Sequence, residues 1–332
     1  MPRPLAIGGV EIRPGEIRDV FLKISETYAG GDVSIPIRVI RAEADGPHLF
    51  VTAAIHGDEL CGTGIIHELL YSDNLDITAG TLILIPVVNV FGFESHDRYL
   101  PDRRDLNRQF PGSPGGSLAN RVAHTLMEQI VRQCDWGIDL HSASQPRTNH
   151  PNVRGKLSDA RVRRLAEVFG CELVVEGAGP AGSLRREACK VGCATILLEA
   201  GEPLKVEQDM LEVGAQGIRN ALIGLGMSPG EPVRPPFQVR VRKTTWVRAK
   251  VGGILRFHIR PGDLVEAGQP IATNYAIFGK DPSVLASPVD GIVLGITTIP
   301  LVKPGEPICH VAIPTRRLST LRRAAARRSE QT

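Results

Sequence analysis

His56-Gly57-Asp58-Glu59 sets an imidazole and a carboxylate three residues apart at the start of a helical pattern. Donors so spaced can aim at one ion, and Zn2+ takes His nitrogen and carboxylate oxygen at about 2 Å. Alone, His-x-x-Glu is a weak pattern, since a surface His beside a capping carboxylate reads the same. A second His shifts the balance. In Asp139-Leu140-His141 the His closes a second predicted strand. Active sites in parallel sheets gather at the carboxyl ends of strands, so His141 can reach the same rim as His56 and Glu59. Two His and one Glu form the ligand set of several zinc hydrolases, with one coordination position left open. One Zn2+ per chain is the cofactor expected from these residues.

Hydrolysis also needs a base. Glu199 ends the apolar run Ala194–Leu198 and precedes Ala200-Gly201. A carboxylate there is costly unless it has a partner or a task, which makes it the candidate general base. Glu202 competes but lies in the loop beyond. The stretch Asp105-Leu106-Asn107-Arg108-Gln109-Phe110-Pro111-Gly112 is rich in donors. Arg offers a planar fork that matches a carboxylate, so Asn107 and Arg108 suit recognition of a substrate carboxylate. A further Arg near the metal would stabilise a developing oxyanion. The remaining His residues have no carboxylate at ligand spacing, and His67 and His124 fall inside helical patterns.

These residues need a scaffold that brings strand ends together. Val20–Ile24 and Val33–Ile40 alternate as half-buried strands. His48–Ala54 is a short apolar run that reads as a buried strand, Thr81–Asn89 reads as another, and Trp136–Leu140, Leu173–Val175 and Ala194–Leu198 read as further strands. Leu60–Tyr71, Ser117–Arg132, Asp159–Phe169 and Val206–Leu225 carry helical spacing. The helix at Ser117 follows a Gly/Pro/Ser cluster, Pro111–Gly116. Alternating strands and helices predict an α/β fold with a largely parallel sheet covered on both faces.

The pattern changes near Met227. Ser228–Pro236 is Pro-rich, as a linker is. Beyond it helical periodicity disappears, and turn signals such as Pro261-Gly262-Asp263 and Pro288-Val289-Asp290-Gly291 separate short strands. The sequence therefore divides into 1–231, a small all-β unit at 232–315, and a basic tail at 316–332, expected to be a frayed, solvated helix or disordered.

Composition limits the partners. The chain has 332 residues, 42% of them hydrophobic, enough for a sizeable core in two domains. A net charge of +3, much of it in the tail, argues against nucleic acid. No apolar leader begins the chain and no run is long enough to span a bilayer, so no membrane is expected and a cytoplasmic location is. Six scattered Cys without C-x-x-C spacing read as reduced thiols.

Taken in order, His56-Gly57-Asp58-Glu59, Asp105–Gly112, Asp139-Leu140-His141-Ser142 and Glu199-Ala200-Gly201 resemble the succinylglutamate desuccinylase/aspartoacylase family, relatives of the zinc carboxypeptidases. The resemblance covers roughly residues 20–225. It implies a zinc-carboxypeptidase-like mixed, mostly parallel sheet flanked by helices. It implies His56, Glu59 and His141 as zinc ligands, Glu199 as the residue that activates water, and Asn107 and Arg108 as binders of the substrate carboxylate. It implies Arg98 as the Arg that polarises the carbonyl, although Arg103 and Arg104 compete in a stretch longer than that of aspartoacylase. Asp139 is placed to orient a ligand His. The activity implied is removal of an acyl group from a small N-acyl amino acid.

Gly262–Ile271 and Ser287–Val293 are similar to the two halves of a biotinyl/lipoyl-type barrel-sandwich. Lys280 stands where a carrier lysine would, but Gly279 and Asp281 depart from the carrier patterns. The expected role is to cover the cleft or to mediate contacts in a homo-oligomer, whose existence the sequence leaves open. Two other readings stay open: a carboxypeptidase using the same zinc site, and a non-catalytic zinc- or ligand-binding protein.

Overall fold

A computed structural model describes residues 3–71 and 75–329. A short N-terminal hairpin, β1 (Ala6–Ile7) and β2 (Val10–Glu11), leads to β3 (Ile17–Glu26), β4 (Asp32–Arg41) and β5 (Ala44–Thr52). After these come α1 (Cys61–Tyr71), β6 (Ala79–Ile85), α2 (Val90–Ser95), α3 (Leu118–Gln129), β7 (Trp136–His141) and β8 (Arg147–Gly155). The chain continues through α4 (Ala160–Phe169), β9 (Leu173–Glu176), α5 (Leu184–Lys190), β10 (Ala194–Gly201) and α6 (Gln208–Gly224). The C-terminal part holds β11 (Val239–Arg248), β12 (Gly253–Phe257), β13 (Leu264–Val265), β14 (Pro270–Tyr275) and β15 (Ser283–Ala286). It ends with β16 (Gly291–Thr297), β17 (Leu301–Val302), β18 (Pro307–Pro314) and α7 (Leu318–Ser329).

One 12-stranded sheet dominates, in the order β13-β16-β18-β11-β9-β8-β10-β7-β5-β6-β4-β3. It is mixed. Its centre, β6-β5-β7-β10, is parallel, but β4 and β8 flank that centre antiparallel. The antiparallel edge results from short connections: β3 to β4 to β5 turn back through loops too short for a helical crossover. Alternation along the central strands feeds two cores. Phe50 and Ile83 point into one with Val122, Leu126 and Leu184. Leu49, Val51, Leu82 and Leu84 point into the other with Ile65, Leu165 and Ile218. Helices α3 and α5 thus cover one face, and α1, α4 and α6 the other.

The Pro-rich stretch does not detach the C-terminal strands from the sheet. β11 adds to it parallel to β9, with Val239 opposite Leu173, and β16 pairs with β8, with Gly295 opposite Asn149. A four-stranded sheet, β15-β14-β12-β17, closes over this extension around a core that includes Val265, Ile271, Leu285 and Ile308. The basic tail is also more than a solvated segment. Leu318 and Leu321 are buried against Val239, Ile292 and Ala312, and Arg322 pairs with Glu266 at 2.7 Å. Among the described residues, no helix is long and apolar enough to cross a membrane.

Within the α/β section three elements were not legible as such: α2, α5 and β8. The last is the most consequential, because Arg147, Asn149 and Arg154 on it face the site.

Candidate active site

Parallel register brings the chemistry together. On adjacent strands, Glu199 of β10 stands opposite His141 of β7, and Thr52 of β5 stands opposite Asp139. All lie at the carboxyl ends of central strands. The chain leaves β5 through Ala53-Ala54-Ile55, all fully buried, and turns at His56–Glu59 into α1. Gly57 makes that turn fit. A Cβ there would lie 1.9 Å from the carbonyl carbon of Gly92 on α2, a backbone atom that cannot swing aside. Gly57→Ala should therefore destabilise the fold by about 1–3 kcal/mol and displace His56 and Glu59. A lowered melting temperature together with weakened metal binding is the expected result. Unchanged values for both would show that the turn tolerates the side chain.

His56, Glu59 and His141 are all buried, and one donor atom from each lies within 4.8 Å of the others, a set that could hold a metal ion. The hydrogen bonds sort the ring nitrogens. Nδ1 of His56 meets Glu59 Oε1 at 2.7 Å, and Nδ1 of His141 meets Glu59 Oε2 at 2.8 Å. The two Nε2 atoms face outward to other carboxylates, His56 to Asp105 Oδ1 at 3.0 Å and His141 to Asp139 Oδ2 at 2.9 Å. Asp139 is itself held by the Thr52 hydroxyl at 2.9 Å. A carboxylate behind each ring fixes Nε2 as the protonated nitrogen and leaves an Nδ1 lone pair for an ion. The donor set thus fits a divalent cation in type, position and orientation.

Electrostatics agree. Burial disfavours a charged His141, but the charges of Asp139 and Glu59 outweigh it and hold its pKa well above the usual range. Burial likewise opposes ionisation of Glu59, yet the charges on His56 and His141 hold its pKa well below normal. Protons on the two rings can therefore balance the Glu59 charge much as a cation would.

Arg98, Asn107, Arg108 and Glu199 line the same cleft of about 240 Å³. Arg98 donates to Glu59 Oε1 at 3.1 Å and to Asp105 Oδ2 at 3.2 Å. Arg103 and Arg104 do not line it. Both are exposed, and Arg104 pairs with Asp102 at 3.7 Å. Asn107 is buried, and its side-chain oxygen is already engaged: Oδ1 accepts from the Leu184 backbone N–H at 2.9 Å. Arg108 is more open and donates to the Asn107 carbonyl oxygen at 2.7 Å. Glu199 Oε2 accepts from Asn149 Nδ2 at 3.0 Å, and its Oε1 lies 3.4 Å from Arg154 Nη1. Glu202 pairs instead with Lys205 at 2.6 Å and lines no part of the cleft.

Sequence reasoning passed over Asp105 as the carboxylate behind His56, Asn149 and Arg154 as the partners of Glu199, and Arg185. The last is buried in the cleft wall at the start of α5, with Nε and Nη1 lacking any partner. Burial, reinforced by the charge on Arg154, lowers its pKa to about 10. A guanidinium so placed is short of an anion. Only its position could have flagged it, because Arg185-Arg186 reads in sequence as an ordinary pair of surface charges.

The pattern of the succinylglutamate desuccinylase/aspartoacylase catalytic domain matches residues 45–225, more than half of the chain and the segment holding every residue just described. The chain belongs to this family. An N-alpha-acetyl-L-2,4-diaminobutyric acid deacetylase from Halomonas elongata is 26% identical over 94% of this chain and 95% of its own. The ectoine utilization protein EutE (DoeB) from Ruegeria pomeroyi, solved with product bound, superposes with a TM-score of 0.80 at 26% identity. That match covers 91% of this chain and 96% of the other. A succinylglutamate desuccinylase/aspartoacylase from Rhodobacter sphaeroides gives a TM-score of 0.79 at 27% identity, over 92% and 97% of the two chains. These likenesses run through the C-terminal strands, well past the matched catalytic segment.

Proposed function

We propose that this family member is a zinc-dependent amidohydrolase that removes the acyl group from a small N-acyl amino acid. The observation that carries the reading is the juxtaposition of His56, Glu59 and His141 with Glu199, opposite His141 on the neighbouring strand. Ligand binding alone would not call for a carboxylate at that place. The name of the Halomonas relative supports a small acylated amino acid as substrate.

In this reading residues 1–231 carry the chemistry, and 232–315 wall the cleft. His56, Glu59 and His141 hold the zinc, whose contribution when bound is Lewis-acid polarisation of the amide carbonyl and a lowered pKa for water. Glu199 accepts a proton from the attacking water and delivers it to the amide nitrogen as the C–N bond breaks, leaving a free amine and a carboxylate. Asn149 and Arg154 hold Glu199 in place. Arg98, turned from Glu59, donates to the carbonyl oxygen as it gains negative charge. Arg108 receives the substrate carboxylate with its fork, and Arg185 adds positive charge to that part of the wall. Asn107, tied to α5 through the Leu184 N–H, acts chiefly by fixing Arg108 and the floor of the pocket.

The test is hydrolysis by zinc-loaded protein of N-acetyl, N-succinyl and N-formyl amino acids beside short peptides. Turnover of acyl amino acids, lost on chelation and restored by zinc, is expected. Cleavage of peptides alone would make the chain a carboxypeptidase, and no turnover of either would remove the enzymatic reading.

A further inference from the structure

The main sheet ends in two unequal edges. One is β13, two residues long; the other is β3, with ten residues. The four-stranded sheet also ends on short strands, β15 with four residues and β17 with two. A long edge offers a row of unpaired amides and carbonyls to another chain, which is why edges are usually kept short or blocked by Pro or bulges. β3 has β4 on its inner side, and among the described residues no strand pairs with its outer side. It contains no Pro, and its pairing with β4 is regular from Ile17 to Lys23.

The strand also leaves apolar surface in the open. Phe21 is 72% exposed, although Val20 and Leu22 beside it are buried. It stands between two hollows, one lined by Pro36 and Tyr71, the other by Tyr28 and Phe91. Tyr28 and Tyr71 are exposed as well. Apolar surface gathered in this way marks a contact site.

The charges on β3 select the partner and the register. Asp19 and Lys23 lie two residues to either side of Phe21, on the same face of the strand. Both are about half open to solvent. Arg38 holds Asp19 at 2.6 Å, while Glu26 and Asp32 hold Lys23 at 2.7 and 2.6 Å. Two copies of β3 laid antiparallel about Phe21 set Phe21 against the partner's Phe21 and Asp19 against the partner's Lys23. Two-fold symmetry forms that ion pair twice. Centring the pair on Val20 would set Phe21 against the partner's Asp19, and centring it on Leu22 would set Phe21 against the partner's Lys23. Only the Phe21 register joins like with like and opposite charges with each other. We propose that β3 is the interface of a two-fold dimer, in which a second copy of this chain extends the main sheet with Phe21 on the axis. The contact then lies at the opposite end of the sheet from the C-terminal strands.

The experiment is sedimentation equilibrium of the full-length protein across the micromolar range. Wild type should sediment at twice the chain mass of 35.9 kDa. Asp19→Lys and Lys23→Glu should each raise the dimer Kd by about tenfold or more, because each homodimer then opposes like charges twice. Mixed in equal amounts, the two variants should regain dimers, since every cross-strand pair between them is again of opposite sign. Misfolded chains would not recover in this way, so mixing separates a broken interface from a broken fold. A monomer throughout the range, a dimer whose Kd neither substitution changes, or variants that stay monomeric when mixed would overturn the assignment.

Discussion

Glu199→Gln is expected to lower kcat/KM for N-acyl amino acid hydrolysis by about 10²- to 10⁴-fold, the usual contribution of a positioned general acid–base. Bound zinc should stay at the wild-type level. The substitution is nearly isosteric, and Glu199 supplies no atom to the His56–Glu59–His141 set. An amide at this position can still accept from Asn149 but cannot take a proton from water, and it loses its attraction to Arg154. That pair is partly open to solvent, so its loss should alter stability by no more than about 1 kcal/mol. A thousandfold loss of rate corresponds to about 4 kcal/mol of activation free energy, far above what altered stability of a folded enzyme would produce. Steady-state kinetics with metal analysis on the same sample separates the two. Activity within a few-fold of wild type would move the base elsewhere, and among the described residues Glu59 of the metal set is the one other acidic residue lining the cleft.

The strand ends were legible because burial leaves a strong mark. Ala194–Leu198 and Trp136–Leu140 are apolar but for Thr195 and Asp139, and each stops at a residue with chemistry to offer. His56–Glu59 was legible for the same reason, lying between a buried strand and a helix. What escaped was whatever had polar residues where a strand would put apolar ones. β8 reads Arg147-Thr148-Asn149-His150-Pro151-Asn152-Val153-Arg154-Gly155, with no alternation to find. Its side chains serve the cleft: Asn149 and Arg154 hold Glu199, and Arg147 packs on Trp246. A strand selected for such contacts loses its hydrophobic signature. The same competition hid the continuity of the sheet. Turn-rich β segments suggest a separate small unit, but pairing partners such as Val239 with Leu173 are long-range facts that no local pattern carries. Asp105 escaped differently. Its neighbours Asn107 and Arg108 looked like substrate contacts, while Asp105 itself caps the short turn at Leu106–Arg108 and backs His56 at once.

His141→Ala should abolish tight zinc binding and, with it, hydrolysis, reducing turnover to that of the metal-free protein. Two remaining ligands do not make a zinc site of the usual affinity. The damage is not confined to the metal. Glu59 is buried and accepts from His141 Nδ1, Ser142 N and Arg98. Removing one partner of a buried charge costs about 3–5 kcal/mol, and the surviving donors place the metal-free variant at the lower end of that range. Asp139→Asn separates the two effects. It leaves the three ligands in place but weakens the carboxylate that orients His141, so zinc affinity should fall by about 10- to 100-fold without vanishing. Protonation gives an independent check. Asp139 and Glu59 keep His141 protonated in the metal-free chain to higher pH than an ordinary His, so an incoming cation must displace that proton. Zinc affinity should therefore weaken as pH falls, and calorimetric titration in buffers of different ionisation enthalpy should detect proton release in wild type that is reduced in Asp139→Asn. A variant without this ring that still bound one zinc tightly and turned over substrate would show that the ion sits somewhere else.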